Sequence, residues 1–179
     1  MQLSIFISKL ENKVRTTWKR MLTNVCEVYS FTKNAEKGRM AERVFKAVAI
    51  TDLEKQTLDL EQDTRKMYEE RFQDGCTLYY ILEENRMIAY GWKQSTSNFY
   101  VWEIARNINF DEKVEMLFDF AVAEEQRGKG IYTYLLKQII LDAENDRKLV
   151  IFALKDNIPS LKGIRRAGFS FWKSISHFK

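Results

Sequence analysis

One junction constrains the fold of this chain more than any other. Around Gly130 the apolar period changes from that of a strand to that of a helix, and then changes back. KVEMLFDFAV (113–122) is a strand-like apolar run. EEQRGKG (124–130) follows, placing two of the chain's seven glycines a single residue apart. Tyr132, Leu135, Leu136, Ile139, Ile140 and Ala143 then sit at i, i+3, i+4, i+7, i+8 and i+11, the spacing of an amphipathic helix ending near Asp146. KLVIFAL (148–154) is a short continuous apolar run, the pattern of a buried strand. Asp156 or Asn157 caps a second helix, with Pro159 in its first turn and Gly168 at its close. FSFWKSISHF forms a last strand or strand pair. Strand, glycine turn, helix, strand, helix, strand: the second half belongs to a mixed α/β domain.

The first half is less regular. Residues 3–22 carry Ile7, Leu10, Val14, Trp18 and Met21 near a 3.6 period and predict an amphipathic helix. VCEVYSF (25–31) predicts a short strand. RVFKAVAITDLEKQTLDL (43–60) begins strand-like, and Thr51-Asp52-Leu53-Glu54 then carries helix-start chemistry. Helical pieces extend to about Phe72, and Asp74-Gly75 makes a turn. CTLYYILEE and RMIAYGWKQ flank Asn85 as a hairpin would. FYVWEIA (99–105) predicts a further strand, set off from 113–122 by the polar stretch NINFDE. Without repeats or linkers, residues 1–179 are expected to form one domain.

Composition removes several classes. With 45% hydrophobic and 30% charged residues the chain is globular, not disordered. No apolar stretch approaches the roughly 20 residues that cross a bilayer. MQLSIFISKLENKV meets charge too early for a secretory signal. Cys26 and Cys76 are far apart, so neither a disulfide framework nor a zinc site follows, and a cytoplasmic protein is expected. The lone His177 cannot build a metal cluster, and no metal is expected. Residues 1–40 hold eight Lys/Arg against three Asp/Glu, whereas the rest hold 21 against 22. That basic start is expected to be a solvated helix face rather than a nucleic-acid surface. Its apolar stripe is expected to pack on the domain or on a second copy, as in a homodimer, rather than on a membrane.

Arg127-Gly128-Lys129-Gly130 lies between a strand and a helix. The first helical turn leaves about four N–H groups without intrahelical partners, and the helix dipole adds positive potential there. Glycines admit a ligand close to the backbone, and Arg127 and Lys129 add mobile charge. Together these suit a diphosphate. The spacing fits neither GxxxxGK[ST] nor GxGxxG. Alone, the turn equally suits a plain strand-to-helix junction.

The stretch from Val122 through Ile131, the helix, the buried strand and NIPSLKGIRRAGF together resemble the GNAT superfamily of acetyl-CoA-dependent N-acetyltransferases. That family's phosphate loop, Q/R-x-x-G-x-G/A, is met by Arg127 and Gly130, with Ile131 next and Tyr132 in place of the final small residue. Asn157, Ser160, Gly168 and Phe169 match its second element, and Ile164 stands where the family often has a Tyr general acid. The resemblance covers about residues 43–175 and leaves the first 40 as an extension.

The resemblance implies a mixed, mostly antiparallel sheet with helices on both faces. Two central strands, KVEMLFDFAV and KLVIFAL, would splay apart around the pantetheine of acetyl-CoA. Phe120, Ala121, Val122, Arg127, Gly128, Lys129, Gly130, Ile131, Asn157 and Ser160 would bind that cosubstrate. An amine of a small molecule would attack the thioester directly, with a backbone N–H near 120–122 facing the oxyanion. Asp119 is the first candidate base, because an acid inside an apolar strand is costly unless paired or used. Glu115 and Glu103 come next, and structural pairing of Asp119 is the competing explanation. Tyr132, Tyr134 or a water would protonate the thiolate, with the Tyr132 ring turned away from the phosphates and toward the acceptor. The Tyr-ending loop, with an aromatic-rich strand before it, is similar to acetyltransferases of amino-sugar and surface-polysaccharide biosynthesis. A catalytically idle acyl-CoA sensor is the alternative from another class, since Ile164 lacks an acid.

Overall fold

The computed structural model describes Thr17 and residues 23–32, 47–52 and 61–178. The predicted helix over 3–22 lies outside these residues except at Thr17. The helix start at 51–54 lies outside them beyond Asp52.

Among the described residues seven strands form one sheet: β1 (Val25–Thr32), β2 (Ala47–Ile50), β3 (Thr77–Glu83), β4 (Arg86–Val101), β5 (Arg106–Val122), β6 (Lys148–Leu154) and β7 (Ser170–Ser176). Their order is β2-β3-β4-β5-β6-β1-β7. Every neighbouring pair is antiparallel except β5 and β6. The helices described over their full length are α1 (Gln62–Gln73), α2 (Ile131–Asp142) and α3 (Ile158–Ala167). α2 stops at Asp142, short of the expected Asp146.

Period-2 alternation divides the core into two faces. In β3, Tyr79 and Ile81 join one cluster while Leu78 and Tyr80 join another. The first face is covered by α2 and α3, through Ile131, Leu135, Leu136, Ile139, Leu161 and Ile164. The second is covered over β2–β4 by α1, whose buried Tyr68 meets Trp92 edge to face at 4.8 Å. The sheet therefore carries helices on both faces.

Over the rest of the second face, the described residues that pack together come from strands and a 3-10 turn. Residues 106–112, NINFDE among them, are part of β5, and FYVWEIA is the end of β4 plus a 3-10 turn, Trp102–Ile104. This corrects the expectation of a polar spacer. Polar Asn107 and Asn109 point outward while Ile108 is buried. The register slips at Thr96/Asn98, and beyond it the hairpin sets Val101, Ile104 and Ile108 against Cys26, Val28, Met116 and Val150.

Turn chemistry follows the sequence. Glu84 and Asn85 both take positive φ, as a two-residue hairpin turn requires. Gly168 ends α3 in the left-handed conformation at φ 109°. Ile139 is fully buried between α2 and the sheet. Replacing it with Ala should cost about 2–5 kcal/mol, read as a lower urea midpoint at unchanged slope.

Candidate active site

β5 and β6 are hydrogen-bonded partners over only three residue pairs: Glu115 with Leu149, Met116 with Val150 and Leu117 with Ile151. Both strands continue, β5 to Val122 and β6 to Leu154, but they no longer pair. A fork opens between them, along which neither strand pairs with the other.

The parting begins at a bulge. Trp92 pairs with Phe118 but Tyr90 pairs with Ala121, so Asp119 and Phe120 face a single β4 residue, Gly91. Asp119 takes the left-handed conformation at φ 49°, which Asp tolerates better than most residues. Its carboxylate accepts a hydrogen bond from Arg71 Nη1 at 2.6 Å. The Arg71 guanidinium lies 4.9 Å from the Trp92 ring centre and 5.3 Å from that of Phe118. Asp119 is 38% exposed, so the pair is worth at most about 1 kcal/mol and the carboxylate stays open to a ligand.

The mouth of the fork on the α1-bearing face is aromatic. Phe118 and Phe152 are the first residues beyond the last β5–β6 pair. Phe99 touches both, with centroids 5.1 and 6.1 Å away. The FYVWEIA stretch thus contributes one ring here. Its Tyr100 and Trp102 are exposed instead, in contact with each other.

At the end of β5 the chain enters the glycine turn. Gln126 and Arg127 N–H groups are taken by Ala123 O and Glu124 O, so donors for an anion must come from Gly128 onward. Gly128 and Gly130 have φ 78° and 77°, and Gly130 caps α2. A Cβ on Gly128 would meet nothing within 4 Å, so packing does not require this glycine; its φ does. Arg127 through Gly130 are exposed. Arg127 Nε donates to Val122 O at 3.3 Å, tying the turn to the strand end. Behind it the buried Gln126 donates to Glu83 at 2.5 Å and accepts from Lys129 Nζ at 2.9 Å. Gln126 was not legible as a site residue; a polar side chain in a loop looks solvated.

α3 opens on Asn157, whose Oδ1 accepts from the Ser160 N–H at 3.3 Å. Asn157 is an N-cap at the end of β6, so two helix N-termini and the fork lie at the same edge. Ile131, the first residue of α2, is buried in the core.

The remaining candidates scatter. Glu115 lies before the fork on the α2 face, where it pairs with Lys93 at 3.6 Å. Lys93 lines a cavity of about 510 Å³ with Tyr79 and Asp142. Asp142 is the last residue of α2, at the opposite end from the glycine turn. Glu103 is in the hairpin tip, its carbonyl held by Asn24. Tyr134 and Ile164 are buried in the core. Tyr132 does not face the aromatic mouth. Its ring lies on the α2/α3 face, edge-on to Phe120 at 5.5 Å, and burial pushes its phenol well above the ordinary value.

Burial likewise pushes the Cys26 thiol up to about 12 and Cys76 to about 11, so neither is a thiolate nucleophile at neutral pH. His177 is held at the hairpin, 3.1 Å from Ile104 O. Among the described residues no group of three or more His, Cys, Asp or Glu could hold a metal. Among them, too, no helix is long and apolar enough to cross a membrane.

Known structures share this architecture. A conserved Staphylococcus epidermidis protein of unknown function superposes with a TM-score of 0.55 at 13% identity, covering 84% of this chain and 59% of that one. The chain thus spans about three-fifths of that protein's length. The aminoglycoside 6'-N-acetyltransferase AAC(6')-Ih of Acinetobacter baumannii superposes at 0.51 and 18% identity, covering 75% and 97%. An aminoglycoside acetyltransferase from an uncultured soil metagenomic sample, solved with trehalose, gives 0.52 and 15%, covering 75% and 94%. At these identities the likeness speaks for the fold. No curated protein matches the sequence. The family model for the acetyltransferase (GNAT) family matches residues 47–169, more than half of the chain, across the fork, the glycine turn and α3. The chain belongs to the GNAT acetyltransferase family.

Proposed function

We propose that the protein transfers an acetyl group from acetyl-CoA to a primary amine of a small molecule, by direct attack in a ternary complex. The observation that carries this is the fork. β5 and β6 stop pairing after Leu117 and Ile151, and the glycine turn stands at the end of the strand they leave free. Phe120, Ala121 and Val122 offer their backbone to the pantetheine amides, as an added strand would. Gly128, Lys129, Gly130 and Ile131 offer N–H groups, and Arg127 and Lys129 charge, to the pyrophosphate. Asn157 and Ser160 open α3 beside it.

The chemistry needs little beyond placement. Holding an amine against the thioester carbonyl removes much of the entropic barrier. A backbone N–H at 120–122 faces the oxyanion. The amine nitrogen attacks the carbonyl carbon, the C–S bond breaks, and one proton leaves the nitrogen. We assign that proton to Asp119, directly or through a water, because its exposed carboxylate stands beside the fork. Glu115, engaged by Lys93 away from it, is the less favourable base. The Tyr132 phenol, raised by burial, is a poor proton source for a thiolate, since a general acid works best with a pKa near the operating pH. Water then protonates the leaving group.

The acceptor is an amine on a body that stacks on aromatic faces, such as an amino sugar. Phe99, Phe118 and Phe152 line the approach, and the likeness to aminoglycoside acetyltransferases is in keeping with this. Two buried free thiols suit a reducing cytoplasm. One observation favours a non-catalytic acyl-CoA sensor: Ile164 is fully buried and apolar.

Gly128→Ala tests the cradle. The left-handed backbone should cost about 1–2 kcal/mol, a fall of a few degrees in Tm, while calorimetric acetyl-CoA affinity drops at least about tenfold; unchanged affinity removes the cradle. Asp119→Asn tests the base. Turnover on a responsive amine should fall about 100- to 10,000-fold with acetyl-CoA affinity unchanged. A variant that turns over normally but melts earlier assigns Asp119 to the Arg71 pair alone. CoA binding by wild type without turnover on any amine supports the sensor.

A further inference from the structure

Two glycines that no turn explains flank the fork. Neither Gly91 in β4 nor Gly163 in α3 has positive φ, so backbone freedom does not call for them. Gly163 is inside a helix, where glycine is a poor helix former. Space calls for them instead. A Cβ on Gly91 would fall 2.0 Å from Phe120 Cε1, and one on Gly163 would fall 2.4 Å from Tyr132 Cδ1 and 2.8 Å from its Cε1. The two rings meet edge to face at 5.5 Å. Gly91, Phe120, Tyr132 and Gly163 therefore form a continuous bridge from β4, across the free edge of β5, to α3. Thr133 Oγ1 donates to Gly163 O at 3.4 Å and keeps the first turn of α2 in line with the seat.

This bridge joins the first turn of α2, next to the glycine turn, to the length of β5 beside the fork. Tyr132 stands two residues beyond Gly130, and Phe120 is on the length of β5 that β6 leaves unpaired. A chain-like ligand held at the turn by its anionic end, and reaching into the fork along β5, runs past the two residues whose rings meet. The ring contact is apolar and edge-on.

We propose that Tyr132 is a closing ring on the donor passage, seated on Gly163, and that the acyl-CoA arm enters only when the ring leaves that seat. The inference rests on the acyl-CoA reading above. Gly163 is the positioning residue: it acts through Tyr132 and touches no reacting atom. The ring closes the passage and the hydroxyl is dispensable to it.

Apparent binding is reduced by the fraction of molecules in the open state. If the passage is open about one-tenth of the time, Tyr132→Ala binds acetyl-CoA about tenfold faster than wild type in stopped flow. Gly163→Ala does the same, because the added methyl occupies the seat; a gain in rate on adding a core methyl is not what a merely structural glycine would give. Tyr132→Phe keeps the ring and binds at the wild-type rate. Wild-type rates in Tyr132→Ala overturn the closure, and that variant decides the matter alone if Gly163→Ala fails to fold. Calorimetry separates the two readings. Absence of acetyl-CoA binding in all four proteins removes the acyl-CoA reading and the closure with it, whereas binding at unchanged rates removes the closure only.

Discussion

Everything proposed for this protein depends on two strands ceasing to pair. β5 and β6 share three residue pairs and then separate, although both run on. Unpaired backbone groups at a sheet edge are costly when buried and hazardous when exposed. The bulge at Asp119 turns β5 as it leaves β6, while Trp92–Phe118 and Tyr90–Ala121 keep it bound to β4. Arg71 holds the bulged residue from α1, and Arg127 holds the strand end at Val122. The opening is thus supported from three sides, and a ligand with alternating amides would complete it.

The two faces of the sheet divide the work around that opening. Helices α2 and α3 bring their N-termini to one side, where positive potential and free N–H groups suit an anion. On the other side, none of the helices α1, α2 and α3 lies over β5 and β6. The long β4–β5 hairpin folds back there and leaves three phenylalanines at the mouth. A donor arriving by one route and an amine by the other would meet at the bulge. Arg71 links that bulge to the cluster under α1, so the packing of Tyr68, Phe72 and Trp92 also steadies the fork.

Much of this was legible in the sequence. The glycine turn, α2, β6 and α3 stand out because their periods and punctuation change at Gly130, Asn157 and Gly168. The β4–β5 hairpin was not, since NINFDE alternates outward polar residues with Ile108 and Phe110 and resembles a loop in a short window. β1 was legible as a strand but not as the strand between β6 and β7, because Cys26 pairs with Leu154 from the far end of the chain. The Arg71–Asp119 pair and the Tyr132–Gly163 seat escaped for the same reason. Both join residues whose neighbourhood exists only after folding. Tyr132 was expected to turn away from the phosphates and toward the acceptor; its ring lies on the α2/α3 face, seated on Gly163.

The most direct measurement is a crystal structure of the full chain grown with CoA. The account predicts the pyrophosphate on the backbone of Gly128–Gly130 and the pantetheine between residues 118–122 of β5 and 152–154 of β6, with the Tyr132 ring displaced from Gly163. CoA bound elsewhere, or β5 and β6 paired beyond Leu117 and Ile151 with CoA present, would contradict it.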